Sequence, residues 1–325
     1  MHVLVTGGAG YIGSVVADRL LRAGHAVTVV DNLSKGRRQA VPSGAEFVQA
    51  DTGEEKELGQ VLRAGSFDAV MHFAAFIEAG ESMLQPEKYF ENNSAKSLTL
   101  LRMVLKYRVP RFVFSSTAAV YGEPRHIPIM EDDPLDPSNA YGESKLMVER
   151  MLAWFHGVHG LRYASLRYFN AAGGTAERGE AHEPETHLIP LVLQVALGQR
   201  PSISIYGTDY PTKDGTCVRD YIHIDDLAIA HVLALDGLAQ QSRLIFNLGS
   251  GSGFTVREII DVARKITAHA IPAVESPRRP GDPAILVASS EKIRRLLGWN
   301  PQHSNIESIV RSAWEWHKAN PRPRG

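Results

Sequence analysis

One cysteine in 325 residues, Cys217, excludes an intramolecular disulfide and any metal site built from several thiolates. An excess of either charge is missing as well: 35 Lys and Arg stand against 36 Asp and Glu, a formal net charge of −1. No overall field then favours nucleic acid or an anionic membrane, and an anionic ligand must be held by local groups. No apolar run is long enough to read as a bilayer-spanning helix. The opening "MHVLVTGG" enters a strand directly with no leader-like stretch, so a cytoplasmic protein is expected. What is present is an ordinary globular composition, 44% hydrophobic and 22% charged. The length suits roughly two domains.

Neither internal repeats nor low-complexity segments interrupt the chain. Up to about residue 170, short β-rich runs (2–6, 26–30, 46–49, 69–73, 112–116 and 162–167) alternate with helical patterns (12–23, 54–64, 86–107 and 140–156). That alternation predicts an α/β fold, a doubly wound Rossmann-type parallel sheet with helices on both faces. Runs such as "VTVV" and "FVFSS" are apolar without alternation, as strands covered on both sides should be. Beyond 170, a Gly-rich charged loop precedes the helix-like "THLIPLVLQVALG". A helix over 225–238 and the strand "LIFNLGS" are expected to return to the first sheet. From Gly251 follow a helix over 255–268, a Pro/Arg-rich turn over 276–283 and two final helices. The expected division is a dinucleotide-binding domain of 1–172 with 225–250, and a smaller discontinuous α/β domain of 173–224 with 251–325.

"VLVTGGAGYIG" sets Gly7, Gly10 and Gly13 between the first strand and first helix. Glycines there permit a tight turn, admit a pyrophosphate to the backbone and let helix and strand pack closely. The helix start offers N–H groups to phosphates. A Gly-rich turn alone is weak evidence, but the second strand ends in Asp31, an acid placed to accept both ribose hydroxyls and to disfavour a 2′-phosphate. Strand, turn, helix, strand and acid in this order point to NAD. Asp51, at the end of the third strand, suits either the adenine amino group or a helix cap.

The fifth strand ends "FVFSSTAAVYG", and ligands of a doubly wound sheet lie beyond the carboxyl ends of its strands. Ser115, Ser116 and Thr117 therefore fall beside the cofactor. "AYGESK" opens the next helix after Ser138 and Asn139, either of which can cap it. Tyr141 and Lys145, four residues apart, share a face. On a surface helix this pair would be decoration; beside the glycine turn and "SST" it reads as a base and its cation. A free phenol titrates near pH ~10, so activation near neutrality takes about 3 units, or ~4 kcal/mol. A unit charge at ~4 Å in an effective dielectric of ~20 supplies about that much. Lys145 and an oxidised nicotinamide ring are the expected sources, with desolvation opposing them.

Taken together, "TGGAGYIG", "DNLS", "HFAA", "SSTAAVYG", "YGESK", "LRYFNAAG", "HLIP", "DGTCVRDYIHIDDLA", "FNLGSG" and "RRPGDPA" span nearly the whole chain. With them the sequence resembles the extended short-chain dehydrogenase/reductase superfamily and, within it, the UDP-glucose 4-epimerase family. The resemblance implies NAD as cofactor and interconversion of UDP-glucose and UDP-galactose through a 4-keto sugar. It makes Tyr141 the base, Lys145 its pKa-lowering partner and Thr117 the hydroxyl on the sugar O4. It implies NAD contacts, besides the three glycines, Tyr141 and Lys145, at Tyr11, Ile12, Asp31, Asn32, Leu33, Ser34, Gly36, Asp51, Thr52, Phe73, Ala74, Ala75, Asn92, Ser115 and Phe169. Nucleotide-sugar contacts fall on Thr117, Tyr141, Asn170, His187, Leu188, Ser204, Tyr206, Arg219, Arg279, Asp282 and Leu286. The two arginines suit the diphosphate, and Leu286 aligns with the position that gates sugar size. Ile77 departs from some relatives with a lysine there, so either positive potential comes from elsewhere or NAD is bound differently at that point.

UDP-N-acetylhexosamine, UDP-pentose and UDP-uronate epimerisation stay open as alternatives. A dehydratase would follow the strand-end threonine with an Asp-Glu pair, whereas Ala118 and Ala119 follow Thr117. A non-catalytic dinucleotide sensor would not need both Tyr141 and Lys145. Cys217 reads as a small hydrophobe, and His72, His223 and His231 lack a metal-site pattern, so no metal is expected. Apolar stripes in 86–107 and 140–156 exceed what one sheet face needs, and in the resembled family these helices pair into a four-helix homodimer interface.

Overall fold

Strands apolar on both sides need helices on both sides, and the computed structural model, which describes residues 1–279 and 281–320, has that layering. The central sheet has seven parallel strands: β1 (His2–Thr6), β2 (Ala26–Asp31), β3 (Glu46–Gln49), β4 (Ala69–His72), β5 (Arg111–Thr117), β6 (Arg162–Tyr168) and β7 (Arg243–Leu248). Their spatial order is β7-β6-β5-β4-β1-β2-β3. The winding direction reverses between β1 and β4, which opens the crevice where such sheets bind ligands. Successive residues of a strand face opposite layers. Val3, Val5, Val27, Val29 and Met71 enter a core shared with α1 (Tyr11–Arg22). Leu4, Val30, Val70, Phe112 and Phe114 enter the opposite one, beneath α2 (Glu55–Ala64), α3 (Lys96–Lys106) and α4 (Ala140–His159).

The later part of the chain contributes two kinds of element. Helix α5 (Leu188–Ala196) precedes the returning pair, α6 (Ile224–Gly237) and β7. Helix α6 packs on α1, where Asp225 pairs with Arg19, and β7 pairs in parallel with β6. A separate apolar cluster gathers α5, α7 (Val256–Thr267) and α9 (Ile306–Ala319) around Val192, Ile260 and Val310. Helix α8 (Glu291–Leu297) lies between them in sequence. Strand Val218–His223 joins Gly253–Thr255, Ile285–Leu286 and Asn170–Ala172 in a second sheet. Ile203–Tyr206 pairs with Ala273–Ser276. Pro280, inside the turn expected over 276–283, and residues 321–325 lie outside the described residues. Among the described residues no helix is long and apolar enough to cross a membrane.

The helix expected over 86–107 is broken. A short helix Pro86–Tyr89 leads into a π-helical turn, Phe90–Ala95, before α3 begins at Lys96. The wide turn lets Asn93 leave the helical pattern: its side chain accepts from Phe76 N–H at 2.9 Å and donates to Phe76 C=O at 2.9 Å.

Candidate active site

Gly10 begins α1 with no side-chain cap, and the turn before it depends on glycine. Gly7 has φ +73°, and a Cβ there would stand 2.5 Å from Ala74 N. At Gly13 it would stand 2.3 Å from Gly7 O. The result is a backbone-lined cradle opening on a cleft of about 780 Å³. Asp31 forms its far wall, with its carboxylate buried and accepting Ala9 N–H at 3.0 Å and Leu33 N–H at 2.8 Å. Burial pushes this carboxyl above its usual range, and the two backbone donors pull it back. Two oxygens offer about four acceptor sites, so capacity remains for ribose hydroxyls. Cradle and acid fit a dinucleotide such as NAD.

Asp51 is more committed than expected. It accepts from Lys96 at 2.7 Å, Asn32 at 2.8 Å and Gly53 N–H at 2.7 Å. Desolvation opposes these donors, which still hold its carboxyl below the usual range.

At the ends of β5 and β6 the other candidates converge. Asn139 caps α4 by accepting Gly142 N–H at 2.8 Å, and Ser82 of "GES" accepts Tyr141 N–H at 3.1 Å. So fixed, the first turn of α4 brings the Tyr141 phenol into a hydrogen bond with Thr117. Lys145 is buried and donates to Ser115 C=O at 3.0 Å, with its ammonium 5.1 Å from the Phe114 ring centre. Beneath them lies a buried ion pair. Arg167 of β6 meets Glu149 of α4 at 2.6 Å, and Ser116 of β5 donates to the same carboxylate at 2.5 Å.

The electrostatics differ from the sequence expectation. Burial pushes Tyr141 up to about 12; the Thr117 hydrogen bond lowers it and Glu78 raises it. Burial also drives Lys145 down to about 7. Lys145 gives one of its three N–H donors to a backbone carbonyl, and of the protein's own groups only Thr117 draws the phenol downward.

On the opposite wall, Arg219 pairs with Asp282, and the Arg279 guanidinium lies 4.0 Å from the Tyr206 ring centre. Leu286 is paired in register with Arg219, and Asn170 donates to Asp220 C=O at 2.8 Å. His187 stands at the N-cap position of α5 with no side-chain bond to the helix, and is drawn up to about 9: desolvation acts downward but is outweighed by its hydrogen bond to Glu185 and the charge of Glu180. All the sequence-derived candidates line this one cleft except two: Leu33 turns toward the core while its N–H serves Asp31, and Ser116, expected beside the cofactor, points to the other face of β5 and donates to Glu149. Ser204, Leu188, Asn92, Thr52 and Ala75 are among those that do.

The cleft also contains groups the sequence reading missed. Tyr168, hydrogen-bonded to Ser115 and close enough to Tyr141 to feel its charge, ends β6. The strand-end rule applied to β5 would have found it. Beside Ile77, Lys35 reaches Glu78 at 3.1 Å, and Glu180 with His182 sits near Tyr11. Cys217 is buried at the cleft edge. His72, held by Thr6 and Ser97, and the fully buried His231 belong to the core, and His223 caps α6.

Residues 3–249 match the model of the NAD dependent epimerase/dehydratase family. The chain belongs to this family. It is 52% identical over 324 residues to a UDP-glucose 4-epimerase of Halalkalibacterium halodurans, covering 99% of this chain and 97% of that relative. Among epimerase/dehydratase structures it is similar to a UDP-glucose 4-epimerase from Brucella ovis in complex with NAD. That match has a TM-score of 0.94 and 42% identity over 97% of this chain and 98% of the other. The UDP-glucose 4-epimerase from Bifidobacterium longum in complex with NAD+ and UDP matches with a TM-score of 0.95 and 36% identity over 99% of each chain. The expected family and the doubly wound sheet are thereby borne out.

Proposed function

We propose that this protein interconverts UDP-glucose and UDP-galactose by NAD-dependent epimerisation at C4. The observation that carries the reading is one continuous cleft joining the glycine cradle and Asp31 to the Tyr141–Thr117 pair and on to Arg219 and Arg279. Bound NAD would supply the redox chemistry at C4, an oxidation later reversed, together with the positive charge of its oxidised ring. Gly7, Gly10, Gly13 and Asp31 would hold it, with Lys145 on its ribose. Tyr141 takes the O4 proton as C4 becomes a ketone and returns it after the sugar has turned over. Thr117 donates to the phenolate and orients O4. Arg219 and Arg279 grip the diphosphate, since planar guanidinium forks match phosphate oxygens, leaving the hexose free to rotate about its link. Ala118 and Ala119 line the cleft where an elimination would need an acid and a base, which disfavours a dehydratase.

The reading includes the two-part division of the chain, 1–172 with 225–250 for the cofactor and the rest for the nucleotide sugar. The separate apolar cluster of α5, α7 and α9 supports it. It includes a homodimer formed through α3 and α4. On α4, Met147, Trp154 and Val158 are 37%, 73% and 66% exposed, with Leu98 of α3 at 38%. A cytoplasmic setting, in which Cys217 stays a thiol, completes the reading.

Product analysis after separate incubation with UDP-galactose, UDP-N-acetylgalactosamine, a UDP-pentose and a UDP-uronate tests the substrate. UDP-galactose should turn over fastest, with UDP-glucose as its product. Tyr141→Phe should lower turnover by about 10²–10⁴ with UDP still bound. Wild-type turnover in that variant would remove Tyr141 from its role.

A further inference from the structure

Outside the proton-handling groups, the cleft wall carries a second chemical cluster. Donor atoms of Glu180, His182 and His187 all lie within 4.8 Å of one another. Glu180 sits between the two imidazoles, with one oxygen 2.5 Å from His182 Nδ1 and the other 3.8 Å from His187 Nδ1. Glu185 reaches the same nitrogen of His187 at 2.8 Å, which sets its carboxylate beside the would-be ligands.

We propose that Glu180, His182 and His187 form a binding site for one divalent transition-metal ion of the zinc, cobalt or nickel class. Two of the three donor separations need only small shifts, and the third, between His182 and His187, lies within 4.8 Å. Donors about 2.1 Å from a tetrahedral ion stand about 3.4 Å apart. The His182–Glu180 contact opens by about 1 Å and the His187–Glu180 contact closes by a few tenths. Two imidazoles and a carboxylate suit these borderline ions, whereas magnesium and calcium want oxygen alone. A water or Glu185 completes the fourth position. The Glu180 and Glu185 side chains are 7% and 2% exposed, and a dication would displace the proton that bridges imidazole and carboxylate. All three ligands line the open cleft, so an ion has a path in.

The ligands fall within eight residues of the segment that Arg37 and Lys35 tie down through Ala181 C=O at 2.9 Å and Glu183 C=O at 3.2 Å. An ion there locks this segment beside the glycine cradle. It also occupies His187, which the family resemblance assigns to the nucleotide sugar. The site itself does not depend on that reading.

The test is a titration of the full-length, chelator-stripped protein with Zn²⁺ in competition with a chromophoric chelator. One equivalent is expected for the wild type, with affinity at least about tenfold lower for His182→Gln and for Glu180→Gln. Cys217→Ser should bind as the wild type. Co²⁺ should give the intense visible bands of a four-coordinate ion. Circular dichroism checks that each variant is folded, and the wild-type Co²⁺ spectrum decides the matter if neither is. Sub-stoichiometric binding, unaltered affinity in folded His182→Gln, or a weak six-coordinate Co²⁺ spectrum would overturn the site. The cluster would then be a proton-bridged ion-pair network.

Discussion

Lys145 shows what burial asks of a single side chain. Burial lowers its amine to about 7, from 10.5 in an unfolded chain. Between those values the unfolded chain binds a proton that the folded chain does not hold, so stability contributed by this residue rises with pH across pH 7–10.5. At pH 7 the burial opposes folding by up to about 4 kcal/mol. Lys145→Met, which fills similar space without charge, should raise the unfolding free energy at pH 7 while abolishing turnover. The gap between variant and wild type should close toward pH 10. Denaturant unfolding at several pH values measures both, and a variant that is less stable at pH 7 would contradict the account. Residue identity was legible here because Tyr141, Lys145 and Thr117 stand at strand and helix ends. Their protonation was not, because burial and the diversion of Lys145 to Ser115 C=O exist only once the chain is folded.

At the scale of elements, α4 is held at its start by Asn139 and Ser82 and farther along by Glu149. The Glu149–Arg167 pair is almost fully enclosed, with side chains 6% and 3% exposed. Removing one partner leaves a buried uncompensated charge. Glu149→Ala should therefore cost about 3–5 kcal/mol of stability in chemical denaturation. A loss under 1 kcal/mol would mean that Arg167 finds another anion or water. Strands and long helices followed directly from apolar patterning and came within a few residues of their bounds. The π turn at Phe90–Ala95 did not, since "FENNSA" carries no breaker and a wide turn leaves the 3.6-residue apolar repeat on either side intact. What fixes that turn is Asn93 reaching Phe76, a contact between segments that a local pattern cannot express. The Glu180–His182–His187 cluster escaped notice for a related reason: Glu180 and His182 read as polar loop, and His187 entered only as a nucleotide-sugar contact.

For the whole molecule, the proposed homodimer rests on the exposed face of α4. Met147, Trp154 and Val158 follow one helical stripe, an apolar surface that a second copy would cover. Sedimentation should give twice the chain mass at micromolar concentration, and Trp154→Glu should give a monomer by placing a charge in the seam. A monomeric wild type, or a dimer untouched by the substitution, would send the interface elsewhere.

The central sheet is finished by β7, drawn from residues 243–248, whereas its neighbour β6 ends at Tyr168. During synthesis, some 75 residues must leave the ribosome after β6 before its outer edge finds its parallel neighbour, and until then the N-terminal part carries an unpaired strand that invites other nascent chains. A chain cut short within that interval is thus not a smaller working protein. It is a sticky fragment, and the cell's quality-control machinery has reason to meet this protein while it is still being made.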